Sequence, residues 1–132
     1  MSCPPGSRVF VVDDERVIAT TLVAILQMNG FSAKSFTCAR EAMDAARLQA
    51  PDLLISDVGM PDISGIDLAI LMTAQCPGCK VLLFSGQAST SDLLQAARER
   101  GYNFRLLSKP VHPRDLLAEV GTMARQSERV QV

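Results

Sequence analysis

The stretch Pro51-Asp52-Leu53-Leu54-Ile55-Ser56-Asp57-Val58-Gly59-Met60-Pro61 decides the fold of this chain. Its apolar run, Leu53 to Ile55, is short and continuous, which is typical of a buried strand. That strand carries Asp57 to its carboxyl end, just before a loop. In an open parallel α/β sheet, ligands bind outside the carboxyl ends of the strands. Asp57 is therefore predicted at the functional edge of the sheet, as a nucleophile, a metal ligand or a helix cap.

Similar apolar segments lie on both sides of this stretch and alternate with helical patterns. In the third predicted helix, for example, Leu68, Leu71 and Met72 recur at helical spacing and are predicted to face the core. Five strands alternating with five helices predict a parallel sheet covered on both faces by right-handed crossovers. We predict an α/β, flavodoxin-like, doubly wound fold with strand order 2-1-3-4-5. The other predicted strands are 8–12, 31–36, 80–85 and 104–108, and the later helices begin near 38, 64, 89 and 113.

Length and composition favour a single globular domain. The chain has 132 residues and 14.2 kDa, with 48% hydrophobic and 20% charged residues. A net charge of −1 and a pI near 5.7 argue against direct binding to nucleic acid or to an anionic membrane. No apolar run approaches the roughly 20 residues of a membrane span, and residues 1–6 do not resemble a signal peptide. We predict one cytoplasmic domain over 8–124, with flexible termini at 1–7 and 125–132.

Four cysteines, Cys3, Cys38, Cys76 and Cys79, are predicted to be reduced thiols, because no export signal is present. Cys76-Pro77-Gly78-Cys79 has the spacing of a redox motif. A thioredoxin-like pair lies at a helix N-terminus, where the dipole lowers a thiol pKa. This pair instead follows a predicted helix and precedes a strand, and Pro-Gly is an ordinary turn. A plain loop is the favoured interpretation, with a redox or metal role as the alternative.

Three carboxylates are predicted to meet at one edge of the sheet. In the predicted order the first and third strands are neighbours, so Asp13, Asp14 and Asp57 end side by side. Two carboxylates about 4 Å apart repel by roughly 1 kcal/mol in water and about 4 kcal/mol at an effective dielectric of 20. Such a cluster is expected to hold a cation. Its all-oxygen ligands favour Mg²⁺ or Mn²⁺.

Two more polar side chains reach the same edge. Ser85 ends the fourth strand as a hydroxyl donor, and Lys109 ends the fifth as a mobile ammonium. A metal, a hydroxyl and an ammonium around one carboxylate suit the transfer of a phosphoryl group. Its equatorial oxygens must be neutralised while Asp57 attacks in line.

Over about residues 8–124, the chain resembles the receiver domain of two-component response regulators, of the chemotaxis-regulator type. The matching pieces are 11–15, 57–61 with Gly65, 84–86 and 108–110. The resemblance implies that Asp57 accepts a phosphoryl group from a sensor histidine kinase or a phosphotransfer protein. It also implies a signalling domain rather than an enzyme. Such a domain catalyses only its own phosphorylation and dephosphorylation.

The resemblance assigns roles to the neighbouring residues as well. Asp14 would bind Mg²⁺ directly and Asp13 mainly through water, with the Gly59 carbonyl as another ligand. Ser85 and Lys109 would contact the acyl phosphate. The bond from Lys109 to Pro110 would be cis, which only X-Pro bonds tolerate cheaply.

The residues of the predicted switch are Ser85 and Leu106. The family often has an aromatic residue three positions before the lysine, where this chain has Leu106. Gly86 leaves the phosphoryl site open to water and to small phosphodonors. The resemblance implies that the face formed by the fourth helix, fifth strand and fifth helix signals to a protein partner or an effector domain. The sequence contains no DNA-binding module, so output is expected by protein contact or through an effector domain outside it.

Two other functions compete with this interpretation. A Mg²⁺-dependent phosphatase of the haloacid-dehalogenase type places its nucleophile and general acid two residues apart, whereas Asp13 and Asp14 are adjacent. A flavodoxin-like cofactor binder needs a first loop rich in Ser, Thr and Gly, and acids at 13–15 would repel a phosphate. His112 lies at a predicted helix start rather than on an exposed helix face, which argues against a relay phosphohistidine. Asp62 and Asp67 are predicted to be loop and helix-start acids rather than metal ligands.

Overall fold

The computed structural model describes residues 7–86, 90–102, 104–109 and 112–130, without the side chains of 90, 91 and 124–130. Strands and helices alternate along the described part of the chain, as the hydrophobic pattern predicts. The strands are β1 (Arg8–Val12), β2 (Ser32–Phe36), β3 (Leu53–Asp57), β4 (Lys80–Ser85) and β5 (Arg105–Ser108). The helices are α1 (Arg16–Met28), α2 (Ala39–Leu48), α3 (Gly65–Gln75), α4 (Thr90–Glu99) and α5 (Pro113–Val130).

The five strands form one parallel sheet in the order β2-β1-β3-β4-β5. The predicted α/β fold and its strand order are therefore confirmed. The register aligns the carboxyl ends of the strands, since Val12 lies beside Ser56 and Asp57 lies beside Phe84. Ser85 in turn pairs with Ser108. Side chains at or just beyond these positions consequently share one edge of the sheet.

The sheet separates two hydrophobic cores. Phe10, Leu54 and Leu83 face one core, which is completed by α2, α3 and α4. Val11, Ile55 and Leu82 face the other, which is completed by α1 and α5. Because the central strands are covered on both faces, they read as continuous apolar runs rather than as alternating ones. All five residues of β3 are buried, including Asp57.

Helix α3 packs through two of the three residues predicted from its spacing. Leu68 and Met72 are fully buried, but Leu71 is 49% exposed and its predicted core position is wrong. The buried stripe of α3 instead continues through Ile66 and Ala69. Leu71 lies on the flank of this stripe, where helical spacing alone does not tell which side a neighbouring element covers.

The ends of the helices differ slightly from the predicted positions. Helix α5 continues to Val130, past the predicted domain boundary at residue 124. The domain limits and the flexibility of the termini stay predictions. The predicted start of the fourth helix, Ser89, lies outside the described residues. Within the described part of the chain, α4 begins at Thr90. Among the helices described, none is both long and apolar enough to cross a membrane. The cytoplasmic location stays a prediction.

Candidate functional site

The ends of β1 and β3 bring three carboxylates together. One oxygen from each of Asp13, Asp14 and Asp57 lies within 4.8 Å of the others. Asp13 and Asp57 are buried and Asp14 is exposed. The backbone N–H of Asp13 donates to the Phe36 carbonyl at 3.1 Å, and its Oδ1 accepts from the Glu15 N–H at 2.9 Å. These bonds fix the Asp13 carboxylate at the centre of the cluster.

The second oxygen of Asp13, Oδ2, is buried and has an ion-pair contact with Lys109 at 3.5 Å, but within the described part of the chain it lacks a hydrogen bond. Buried polar atoms nearly always have a hydrogen-bond partner. Burial raises the pKa of Asp13, and the nearby charges of Asp57 and Asp14 raise it further. The Glu15 N–H and the Lys109 ammonium lower the pKa but do not outweigh burial. Three clustered carboxylates with an unsatisfied oxygen are a donor set that suits a hard divalent cation such as Mg²⁺.

Lys109 brings an ammonium group to the same carboxylates. Its Nζ lies 3.3 Å from Asp57 Oδ1 and 3.5 Å from Asp13 Oδ2. It also lies 5.2 Å from the centre of the Phe84 ring, within cation–π range. Burial lowers the pKa of Lys109, but the charges of Asp13 and Asp57 overcome this effect and the net pKa shift is upward. The side chain therefore stays a cation beside the Asp57 carboxylate.

Ser85 and Gly86 form the next part of this edge. Ser85 is the last residue of β4 and is buried, and its carbonyl accepts from the Lys109 N–H at 3.0 Å. Gly86 is exposed, and the atom nearest to a Cβ added there would be the Lys109 Cβ, at 3.6 Å. The register therefore places Ser85 beside the strand that carries Asp57. Lys109 follows β5, one strand further away, and its side chain reaches across to Asp57.

The loop between β3 and α3 holds Gly59, the predicted carbonyl ligand, which is exposed. Val58 at the start of the loop donates its N–H to the Phe84 carbonyl at 3.1 Å and accepts the Gly65 N–H at 2.9 Å. Asp62 reaches across to α2, where its Oδ2 accepts from the N–H groups of Ala39 and Arg40. Reasoning from the sequence missed this contact. The available signal was Cys38, which precedes α2 and is a poor helix cap.

Two small residues, Ser56 and Gly65, contact the backbone of Asp57, and the sequence alone did not predict these contacts. Ser56 is fully buried and its hydroxyl donates to the Asp57 carbonyl at 2.9 Å. Gly65, the first residue of α3, lies so close that an added Cβ would overlap that carbonyl oxygen. The Cβ would also lie 2.8 Å from the Asp57 carbonyl carbon. Together they clamp the backbone of Asp57 between the sheet and the start of α3.

Other residues singled out from the sequence lie outside the cluster. Leu106 pairs with Leu83 in the sheet and is 36% exposed. His112 is exposed, and its Nδ1 accepts the Arg114 N–H at 3.3 Å at the start of α5. The predicted cis bond lies outside the described residues, because it involves Pro110.

The Cys76–Cys79 segment lies at the amino end of β4, at the opposite edge of the sheet from Asp57. Both thiols are buried and free. Burial raises the pKa of Cys79 to about 12, with a further upward effect from Cys76. Since the thiolate is the reactive form, this thiol is poorly suited to redox exchange or metal binding. The favoured interpretation of the segment as a plain loop agrees with this environment.

Asp13→Asn should stabilise the metal-free domain at pH 7, by on the order of 1 kcal/mol. The amide replaces a buried carboxylate whose charge is unfavourable in the fold. The folded pKa of Asp13 lies above its usual 3.8, so between these two pH values the native state binds more protons than the unfolded state. Wild-type stability therefore falls as the pH rises through that window, and the advantage of the variant appears there.

Urea unfolding in EDTA measures the Asp13→Asn effect. The difference between variant and wild type should be largest at pH 7 and should shrink as the pH approaches 3.8. A variant less stable than wild type at pH 7 would contradict this account of the cluster.

Comparison with known proteins adds to this geometry. The family model for the response regulator receiver domain matches residues 9–121. Transcriptional regulatory protein CreB of Escherichia coli (strain K12) is 36% identical over 121 residues, which cover 92% of this chain and 52% of that protein. The probable transcriptional regulatory protein TcrX of Mycobacterium tuberculosis is 29% identical, over 90% of this chain and 50% of that protein. The chain thus spans about half the length of these curated relatives.

Solved structures share the fold along nearly the whole chain. A response regulator receiver domain protein (CheY-like) from Methanospirillum hungatei JF-1 superposes with a TM-score of 0.85 at 25% identity. The match covers 94% of this chain and 98% of that one. The BeF₃-activated DrrB receiver domain gives a TM-score of 0.76 at 25% identity, over 89% of this chain and 96% of that one.

Proposed function

Because the chain belongs to the family of response regulator receiver domains, we propose that Asp57 is the residue that accepts the phosphoryl group. The donor would be a sensor histidine kinase or a phosphotransfer protein. One observation carries the assignment: Lys109 Nζ lies 3.3 Å from Asp57 Oδ1, inside a cluster of three carboxylates at the carboxyl edge of the sheet. A cation and a nucleophile are thereby held together where a phosphoryl group can enter.

In the transfer, a carboxylate oxygen of Asp57 attacks the phosphorus, and the bond from phosphorus to the donor nitrogen breaks. The negative charge on the three equatorial oxygens must be balanced during this step. Lys109 supplies an ammonium close to the attacked position, and Ser85 supplies a hydroxyl from the end of β4. Asp13, Asp14, Asp57 and the Gly59 carbonyl would hold Mg²⁺ (or Mn²⁺), which supplies positive charge to the phosphoryl oxygens when bound.

Acetyl phosphate provides a test without the unknown kinase. Incubated with acetyl phosphate and Mg²⁺, the protein should gain one phosphoryl group by intact mass. Hydroxylamine should remove the group, since an acyl phosphate is cleaved by this nucleophile. EDTA should suppress the gain. A protein that stays unmodified with both acetyl phosphate and a panel of histidine kinases would refute the proposal.

The phosphatase alternative receives no support from the site. In a phosphatase of that type, a general acid lies two residues after the nucleophile, whereas the acids at the end of β1 are adjacent and Asp13 is fixed by the Glu15 N–H. We infer that the domain turns over only its own acyl phosphate. Steady release of phosphate from an external phosphomonoester would instead support the phosphatase function.

We further infer that output passes through the face formed by α4, β5 and α5, to a protein partner or to an effector domain. Leu106 cannot act as the aromatic switch, because it has no ring to turn inward. The hydroxyl of Ser85 and the flexible backbone of Gly86 remain as the parts that can move toward a phosphoryl group. Coupling should therefore pass mainly through the start of α4.

Beryllofluoride, a phosphoryl mimic, should shift the amide resonances of Gly86, Leu93 and Leu94 more than those of Leu106 and Leu116. A ligand shifts an equilibrium only by its different affinity for the two states. The residues proposed to move, Ser85 and Gly86, precede α4 in the chain, so we expect the change to be passed first to that helix. Two-dimensional NMR with and without the mimic makes the measurement. Largest changes at Leu106 and Leu116 would show that the leucine is itself the switch.

A further inference from the structure

Helix α2 starts without a cap of its own. The first N–H groups of any helix lack partners within the helix, and a Ser, Thr, Asp or Asn at the N-cap position usually satisfies them. The N-cap residue of α2 is Cys38, whose side chain makes no capping hydrogen bond. Helix α3 shows the usual arrangement, because its N-cap Ser64 accepts the Asp67 N–H. The start of α2 therefore depends on a residue from elsewhere in the chain.

Asp62 provides the missing cap from the loop between β3 and α3. Its Oδ2 accepts from the Ala39 N–H at 3.0 Å and from the Arg40 N–H at 3.4 Å. A side-chain oxygen of Asp or Asn is favoured at this position, because it accepts hydrogen bonds from the first N–H groups of the helix. The contact joins two segments that are 23 residues apart in sequence.

This contact holds the tip of a loop whose two ends are already fixed. Val58 donates to the Phe84 carbonyl, and Gly65 donates back to the Val58 carbonyl. Gly59 lies in the part of the loop between Val58, which is one fixed end, and Asp62. On the other side, β2 leads into α2, and the last residue of β2, Phe36, accepts the N–H of Asp13. The start of α2 is thus linked to both sides of the acidic cluster, to Asp13 through β2 and to the loop through Asp62.

We propose that Asp62 is a positioning residue for the metal site: by capping α2, it holds the β3–α3 loop in the shape that presents the Gly59 carbonyl to Mg²⁺. The inference rests on the proposed function, which places Mg²⁺ at this cluster. Without the cap, the loop must be ordered when the metal binds, and that ordering reduces the affinity. Asp62 itself needs no contact with the metal.

Mg²⁺ titration by calorimetry, on the full chain, separates the cap from simple charge. Asp62→Ala removes the cap and the charge, Asp62→Asn removes the charge but keeps an oxygen that accepts both N–H groups, and Asp67→Asn removes a neighbouring charge alone. Asp62→Ala should weaken Mg²⁺ binding by about five- to tenfold, as expected for a lost helix cap. The two Asn variants should stay within about twofold of wild type.

Amide hydrogen exchange without metal gives a second readout. In Asp62→Ala, exchange at Ala39, Arg40 and Gly59 should accelerate, while exchange in the central strands should not. Unchanged Mg²⁺ affinity in Asp62→Ala would overturn the inference, and so would an equal loss in Asp62→Asn, which would make the effect one of charge. A wild-type protein that binds no Mg²⁺ would instead refute the metal site of the proposed function, and this inference with it.

Discussion

Asp57→Asn should abolish phosphorylation by acetyl phosphate, by at least about 1,000-fold, because an amide oxygen is not a competent nucleophile in this reaction. The substitution keeps the shape of the side chain and removes one of the two carboxylates that contact Lys109. The fold should therefore persist. Intact-mass analysis over a time course of acetyl phosphate and Mg²⁺ measures the loss, and circular dichroism verifies the fold.

Asp44→Asn is the matched control for the loss of Asp57. Asp44 is an exposed acid of α2 whose ion pair with Arg47 is also exposed, so its removal should leave the labelling rate unchanged. Labelling of Asp57→Asn at the wild-type rate would place the acceptor on another residue. Peptide mapping of that label would then decide between Asp13 and Asp14.

Gly65→Ala should destabilise the domain by about 3 kcal/mol or more, the second large effect. A Cβ at this position would overlap the Asp57 carbonyl oxygen and would lie 3.0 Å from Ser56 Oγ. The overlapped atoms belong to the backbone of β3, which cannot rotate away. Helix α3 would have to move away from the strand, along with Ile66 and Leu68 in the core. Urea unfolding followed by circular dichroism measures the change in the free energy of unfolding.

Gly78→Ala serves as the control for Gly65→Ala. A Cβ at Gly78 meets nothing within 4 Å, and the backbone there is not in the left-handed region. Its effect should stay within about 0.5 kcal/mol. If Gly65→Ala unfolded at the same urea concentration as Gly78→Ala, the close approach of α3 to Asp57 would not constrain the fold.

The family, the fold and the strand order were predictable because each depends on local signals that agree. Buried parallel strands read as continuous apolar runs, and the polar residue that follows each run marks its end. Right-handed crossovers leave few ways to order such strands. That reasoning alone predicted that the side chains of Asp13, Asp57 and Lys109 lie at the same edge of the sheet. Their assigned roles in phosphoryl transfer stay predictions.

Contacts that depend on tertiary distances were not predictable. Asp62 caps a helix that begins 23 residues earlier, and nothing near Asp62 in sequence indicates that helix. Gly65 was noted as part of a motif, but the overlap that excludes a side chain depends on how α3 is seated on β3. The burial of Ser56 likewise follows from covering both faces of the sheet. Leu71 was wrongly predicted to face the core, because helical periodicity identifies the buried side of a helix but not how far that side extends around it.

Because the sheet separates the two cores, substitutions in one core should affect the domain independently of substitutions in the other. The sheet keeps residues such as Met72 and Leu116 in different cores, so substitutions on opposite faces share few neighbours. Their effects on the free energy of unfolding should add. Helix α4 packs in one core and α5 in the other, although both belong to the proposed output face. Over evolutionary time, one half of that face could then be rebuilt for a new partner without compensating changes beneath the other.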